Sequence, residues 1–361
     1  MKGGSRMEIE EFAQYIIVKA QEIGTSDIHI LPEEHHYSLY FRIGGKMSFW
    51  NSVPEENGKR VISYFKYLSN MDVGERRKPQ SGASQLLMDG KATSLRFSTI
   101  TNFRAQESMV IRILNQSAHL SLLKTTYFKK EVQLIEKLAQ FNSGLLIFSG
   151  PVGSGKTTTM YQLVRESYLI SKQQVITVED PVEIEEPLFL QTQVNEKAGI
   201  TYETLLKSSL RHHPDTIIIG EIRDEETAKM VIRGALTGHL IIASVHAKNT
   251  VGVVSRLLEL GVTQEQLKQT LLGVVFQKLI PKYCPFCNGD CDPACAHINL
   301  YEKRAILYDV LSRKELKQFL AQTHSEEEIQ EKQTRSFNLL LRKAYAYGYV
   351  SEKNYIQFQI P

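Results

Sequence analysis

The sequence predicts an α/β fold: a largely parallel sheet covered by helices, preceded by a smaller α+β unit and followed by a helical C-terminal region. Three observations carry this. From Gly144 onward, strand-like runs alternate with runs of helical length, the pattern of strand–helix–strand crossovers. The strand runs are apolar throughout, as in "TIIIGE", which fits strands buried on both faces. Before residue 115 the pattern differs, with hairpin signals between short alternating strands.

The elements follow in order. Residues 8–23, "EIEEFAQYIIVKAQEI", read as an amphipathic helix, with Phe12, Ile16 and Ile23 near one face. "SDIHIL" and "YSLYFRI" read as strands, Gly44-Gly45 as a hairpin signal and "KMSFW" as the return strand. "EENGKRVISYFKYLSNMDV" reads as helix and "GERRKPQSG" as a charged loop. Three strand-like runs close this first domain, residues 1–114. Residues 115–125 read as a linker. The second domain, 126–283, opens with the helix "KKEVQLIEKLAQF". Its strands are "GLLIFSG", "QQVITVED", "LFLQTQV", "TIIIGE" and "HLIIASVH", and its helices are "KTTTMYQLVRESYLI", "TYETLLKSSLRH", "EETAKMVIRGALTG" and "VVSRLLEL". Residues 284–361 hold a cysteine loop and read as helical beyond it.

Composition bounds the function. The chain has 361 residues, 42% of them hydrophobic, enough for a sizeable core. The net charge of +3 favours no nucleic-acid partner by itself. No apolar run approaches the ~18 residues that span a bilayer. "MKGGSRMEIEEF" has no apolar signal core, so a cytosolic protein is expected, with membrane contact peripheral or through a partner.

"GPVGSGKT", Gly150 to Thr157, follows a strand and opens a helix, the context a phosphate-binding loop requires. Glycines at 153 and 155 let backbone N–H groups turn inward around phosphates. Gly150, Pro151, Val152, Gly153, Ser154, Gly155, Lys156, Thr157 and Thr158 form the candidate nucleotide site. Lys156 is expected to reach the β- and γ-phosphates, and Thr157 to ligate Mg²⁺.

Two acidic clusters lie at strand ends, where ligands bind in parallel sheets. One holds Glu179, Asp180 and Glu183, the other Glu221 and Asp224. Glu179 and Glu221 are the expected catalytic carboxylates, orienting water and holding Mg²⁺. Glu183 ranks behind them. Asp224 reads equally as the cap of the following helix. His246 sits at the carboxyl end of its strand, where an imidazole can sense the γ-phosphate, or simply serve structure.

All four cysteines lie in "CPFCNGDCDPAC". Cys284, Cys287, Cys291 and Cys295 can wrap a structural Zn²⁺, with His297 as a substitute ligand. Free thiols, or a disulfide formed on oxidation, are the alternatives.

In this order, "GPVGSGKTTT", "ITVEDPVE", "LRHHPDTIIIGEIRDEETA" and "TGHLIIASVHAKN" resemble the Walker A, Asp box, atypical Walker B and His box of the secretion ATPases of type II secretion and type IV pili. "SDIHILP", "FRIGG" and "GERRKPQSG" resemble that family's N-terminal domain. The short N-terminal region and compact tail are most similar to its competence branch, which assembles the transformation pseudopilus of Gram-positive bacteria. The resemblance implies a RecA-like P-loop ATPase domain in a ring, expected to be a hexamer, hydrolysing Mg-ATP and acting on an inner-membrane platform protein. It implies Glu179 as general base, with Glu221 serving Mg²⁺ and the attacking water. It also implies that Arg96 and Arg112 complete the site, with Arg104, Arg211 and Arg223 as secondary candidates. Closure of the N-terminal domain on ATP is expected. Departures are Gly44, where the family commonly has Asp, Ala83, where relatives often carry Arg, and the compressed cysteine loop. Retraction or general secretion ATPases, a nucleic-acid translocase and a nucleotide-switched regulator are the rival readings.

Overall fold

The computed structural model describes residues 8–43, 45–88, 91–114, 121–290, 297, 303–321 and 326–360. Gly44, Cys291 and Cys295 lie outside them. The chain divides into two compact units, the first ending at residue 116.

The N-terminal unit contains α1 (Ile9–Ile23), β1 (Asp27–Pro32), β2 (His36–Ile43), β3 (Lys46–Pro54), α2 (Glu55–Leu68), β4 (Gln80–Met88), β5 (Lys91–Thr101) and β6 (Glu107–Leu114). Its antiparallel sheet runs β3-β2-β1-β6-β5-β4. Alternation decides which face is covered. Ile28, Ile30, Phe41, Phe97 and Ile111 turn towards Ile16 and Ile17 of α1 and Phe65 of α2, forming one core. Intervening residues such as Asp27, Arg112 and Arg96 share the opposite face.

The second unit begins with α3 (Leu122–Thr125), α4 (Lys129–Ala139), β7 (Gly144–Ser149), α5 (Lys156–Ser171), β8 (Val175–Glu179), β9 (Leu190–Gln193), α6 (Tyr202–Arg211) and β10 (Thr216–Ile219). It continues with α7 (Glu225–Leu236), β11 (Leu240–Val245), α8 (Thr250–Glu259), α9 (Gln264–Thr270) and β12 (Leu271–Pro281). The remainder is β13 (Tyr283–Cys284), β14 (Gly289–Asp290), β15 (Arg304–Ser312), α10 (Arg313–Ala321), α11 (Glu326–Ala346) and α12 (Glu352–Phe358). The main sheet runs β15-β12-β7-β11-β10-β8-β9. It is parallel except for β15, which pairs antiparallel with β12.

The isoleucine run behaves as a strand buried on both faces. Ile217 and Ile219 enter one core cluster and Ile218 the other, all at 0% exposure. Each such burial contributes about 1.5–3 kcal/mol. The linker expected over 115–125 ends in structure: α3 belongs to this unit, and Leu122 packs into its core.

The C-terminal region is helical in α10, α11 and α12, as expected, but also supplies a strand that was not. β15 is a full edge strand, with Leu307 and Tyr308 buried at 0% and 1%. Phe276, Ile280 and Leu307 pack with Phe337, Leu341 and Val350 as one cluster. A short apolar run such as "AILYDVL" carries no periodicity that separates strand from buried helix. Its pairing with β12 decides.

Candidate nucleotide site

The phosphate loop connects β7 to α5. Gly153 and Gly155 adopt φ 75° and 82°, which L side chains rarely take. Side chains cap α6, α7, α8 and α9, through Thr201, Asp224, Asn249 and Thr263. No side chain caps α5, as none caps α1, α2 or α4; what sets α5 apart is the glycine loop that precedes it. Its first N–H groups are left for an anion, helped by the helix dipole. Gln277 of β12 steadies the loop from below, its Nε2 donating to the Ser154 carbonyl at 2.7 Å.

Lys156 Nζ donates to the carbonyls of Gly150 at 2.9 Å and Pro151 at 3.3 Å. Burial lowers its pKa, while the charges of Glu221 and Glu183 raise it, so both carboxylates act on this ammonium. Thr157 Oγ1 donates to Glu183 Oε2 at 2.8 Å. Glu221 lies 3.2 Å from His246 Nε2 through Oε1, and accepts from Arg223 Nε at 2.7 Å through Oε2. Arg223 Nη1 also reaches Asp180 Oδ2 at 3.3 Å. Lys156, Thr157, Glu183, Glu221 and His246 thus gather beyond the carboxyl ends of β7, β8, β10 and β11.

Glu179 ends β8, as expected, and is buried there. It is 3% exposed, and Oε1 accepts from the Tyr161 hydroxyl and from Thr177 Oγ1 at 2.8 Å. The residue beside Thr157 is the exposed Glu183. Asp224 caps α7, accepting from Thr227 N at 2.8 Å. Arg211 ends α6.

Arg96 and Arg112 belong to the N-terminal unit and face each other in the β5–β6 register. That register continues from Arg112 to Asp27 and from Asp27 to Arg42. Arg112 Nε donates to Asp27 Oδ1 at 2.9 Å, and Arg42 Nε lies 3.9 Å from Oδ2. Three arginines and one carboxylate therefore form a row across four strands. Sequence reasoning missed Arg42 and Asp27. Their signal was positional: each sits on the uncovered face of its strand. Arg104 contacts Glu34 at 4.0 Å.

Cys284, Cys287 and His297 offer ligand atoms within 4.8 Å of one another. Two thiols and an imidazole match the N/S ligand set of zinc. No helix among the described residues is long and apolar enough to cross a membrane.

A family model described as type II/IV secretion system protein matches residues 4–355. The chain belongs to that family. It is 39% identical over 347 residues to competence protein ComGA of Bacillus subtilis (strain 168), covering 96% of this chain and 97% of the relative. It is 45% identical over 275 residues to competence protein ComGA of Streptococcus pneumoniae, covering 75% and 85%. Among solved structures, the Legionella pneumophila ATPase DotB superposes with a TM-score of 0.75 at 18% identity, covering 99% of this chain and 97% of that one. This likeness gives the secretion-family chain the RecA-like ATPase fold.

Proposed function

We propose that this protein is a Mg-ATP-hydrolysing motor that powers assembly of a type IV pilus-like competence pseudopilus for DNA uptake. The observation that carries the reading is the convergence of Lys156, Thr157, Glu183, Glu221 and His246 around an uncapped phosphate-loop helix, in a chain whose similarity to competence protein ComGA runs along 96% of its length.

The residues divide the work. Lys156 leaves the loop carbonyls for the β- and γ-phosphates, and the N–H groups of the loop hold the remaining oxygens. Mg²⁺, when bound, would supply charge neutralisation for the phosphates. Thr157, whose hydroxyl now donates to Glu183, would hold it. Glu179, at the end of β8, is the general base in this reading, and Glu183, exposed and beside Thr157, is the second carboxylate at the site. Glu221, held in place by His246 and Arg223, would orient the attacking water and help hold the metal. The arginine row of the N-terminal unit has the charge a triphosphate calls for, with Arg96 and Arg112 as its working members.

The motor acts as a homo-oligomer, a hexamer in this reading. It works in the cytoplasm, peripherally attached to the cell membrane through an integral platform protein. Cys284, Cys287 and His297 would hold a structural Zn²⁺. No direct nucleic-acid contact is needed.

Steady-state ATPase kinetics and transformation frequency of Lys156→Ala and Glu179→Gln test the proposal. Both variants are expected to fold, to lose hydrolysis and to lose transformation. Glu179→Gln with wild-type turnover would reject the mechanism. Loss of external pilus retraction with intact transformation would replace assembly by retraction.

A further inference from the structure

Gln277 touches both ends of the phosphate loop. It lies on β12, the strand beside β7, and is 0% exposed. A Cβ on Gly150, where the loop begins, would meet the Gln277 carbonyl oxygen at 2.2 Å. Only glycine lets the loop start this close to β12. Near the other end, Gln277 Nε2 donates to the Ser154 carbonyl at 2.7 Å. Opposite Gln277 in the register stands Tyr308 of β15, whose hydroxyl shares a hydrogen bond with Thr159 Oγ1 of α5 at 3.3 Å. The same strand pair thus holds the loop and the helix it opens.

The Gln277 amide is only half satisfied. Its Oε1 finds no partner among the described residues, and neither does Ser154 Oγ. A buried amide with one end unpaired costs stability. Packing alone would favour an apolar side chain at this position. What the amide retains is its bond to Ser154.

That bond fixes one peptide group. Ser154 N donates to the Pro151 carbonyl at 3.2 Å, and the Gly155 carbonyl accepts from Thr159 N at 2.9 Å. The peptides on either side of the Ser154–Gly155 link are therefore tied within the loop and the helix. The link itself is tied by Gln277. Gly155, at φ 82°, has no Cβ to resist a reversal of that link. In a trans peptide the C=O and N–H point in opposite directions. With the Ser154 carbonyl drawn to β12, the Gly155 N–H points away from β12.

We infer that Gln277 is a positioning residue: by holding the Ser154 carbonyl against β12, it aims the Gly155 N–H at a nucleotide phosphate. Without Gln277 the link is free to reverse, and a carbonyl oxygen then faces the anion. The inference rests on the nucleotide site of the proposed motor. A loop N–H meets the phosphate in the bound ground state as well as in the transition state, so its loss is a loss of binding.

The test compares Gln277→Met and Gln277→Leu with the parent, as full chains with Mg-ADP and Mg-ATP. Met keeps the length of the side chain and removes the donor. Both variants should raise the Kd for ADP and the KM for ATP by about 10–100-fold, the loss of a hydrogen bond to a charged group. The kcat at saturating ATP should fall by less than ~3-fold. Parent-like ADP affinity in Gln277→Met would overturn the inference, as would a kcat that falls by more than KM rises. Amide hydrogen exchange reads the peptide itself. Saturating ADP should protect the Gly155 amide in the parent and leave it unprotected in Gln277→Met; equal protection in the two would also overturn the inference. ADP binding needs no turnover, so the two readings fail separately. A parent that binds ADP without hydrolysing ATP would reject the motor reading by itself, and parent-like binding in Gln277→Met would reject the positioning role by itself.

Discussion

Glu221 is held from two sides, by His246 at 3.2 Å and Arg223 at 2.7 Å. The two partners differ in what they supply. Arg223 is always charged and bridges on to Asp180, so it fixes the carboxylate. His246 is 49% exposed and free to exchange Glu221 for a phosphate oxygen. Removing the carboxylate should therefore cost more than removing the imidazole. Glu221→Gln is expected to lower kcat by about 10²–10³-fold, and His246→Ala by roughly 10-fold, with ATP binding retained in both. Equal losses in single-turnover hydrolysis would show that the pair acts as one unit. At this scale the sequence disclosed residue types and strand ends. It did not disclose which of Glu179 and Glu183 faces solvent. Both stand in the same "VEDPVE", and a turn of a few residues decides.

β15 shows what an element adds. It closes one edge of the sheet and brings Asp309, 2% exposed, into contact with Ser336 of α11, whose Oγ donates to Oδ1 at 2.9 Å. Oδ2 has no partner. Burial, with the nearby charge of Glu315, raises the Asp309 pKa from 3.8 to about 7. The native state thus holds this proton more tightly than the unfolded chain. The stabilisation is complete below about pH 4 and is lost as pH rises towards 7. Asp309→Asn should remove that slope and leave the variant more stable than the parent at pH 8, by on the order of 2–4 kcal/mol. Thermal unfolding at pH 5 and pH 8 reads the difference; parallel pH profiles for the two proteins would refute it. The cap of α7 gives a second check. Asp224→Ala should cost about 1 kcal/mol of stability with kcat unchanged, because Asp224 bonds Thr227 and not the phosphate site. β15 was illegible beforehand because one buried apolar run looks alike in strand and helix.

For the molecule as a whole, the motor reading makes two demands. The first is self-association: sedimentation with a non-hydrolysable ATP analogue should give a hexamer, and a species that stays monomeric at every nucleotide state would remove the ring. The second is the zinc site. Purified protein should carry about one zinc per chain. Cys284→Ser should release it and lower the melting temperature while leaving the nucleotide chemistry intact, since neither Cys284 nor Cys287 bonds Lys156, Thr157 or Glu183. Metal content at background in the parent protein would exclude the site.

The sequence by itself determined the fold class, the phosphate loop and the family. Strand–helix alternation and "GPVGSGKT" are local patterns, and local patterns suffice where backbone geometry and burial dictate residue type. Tertiary structure alone decided the pairings. Glu183 with Thr157, Glu179 with Tyr161, and the row Arg42–Asp27–Arg112–Arg96 join residues from different elements. Side-chain chemistry in each case was visible beforehand. Its partner was not, because register, turn direction and burial follow from packing many elements at once, and a one-residue change in any of them sends the same side chain to the opposite face.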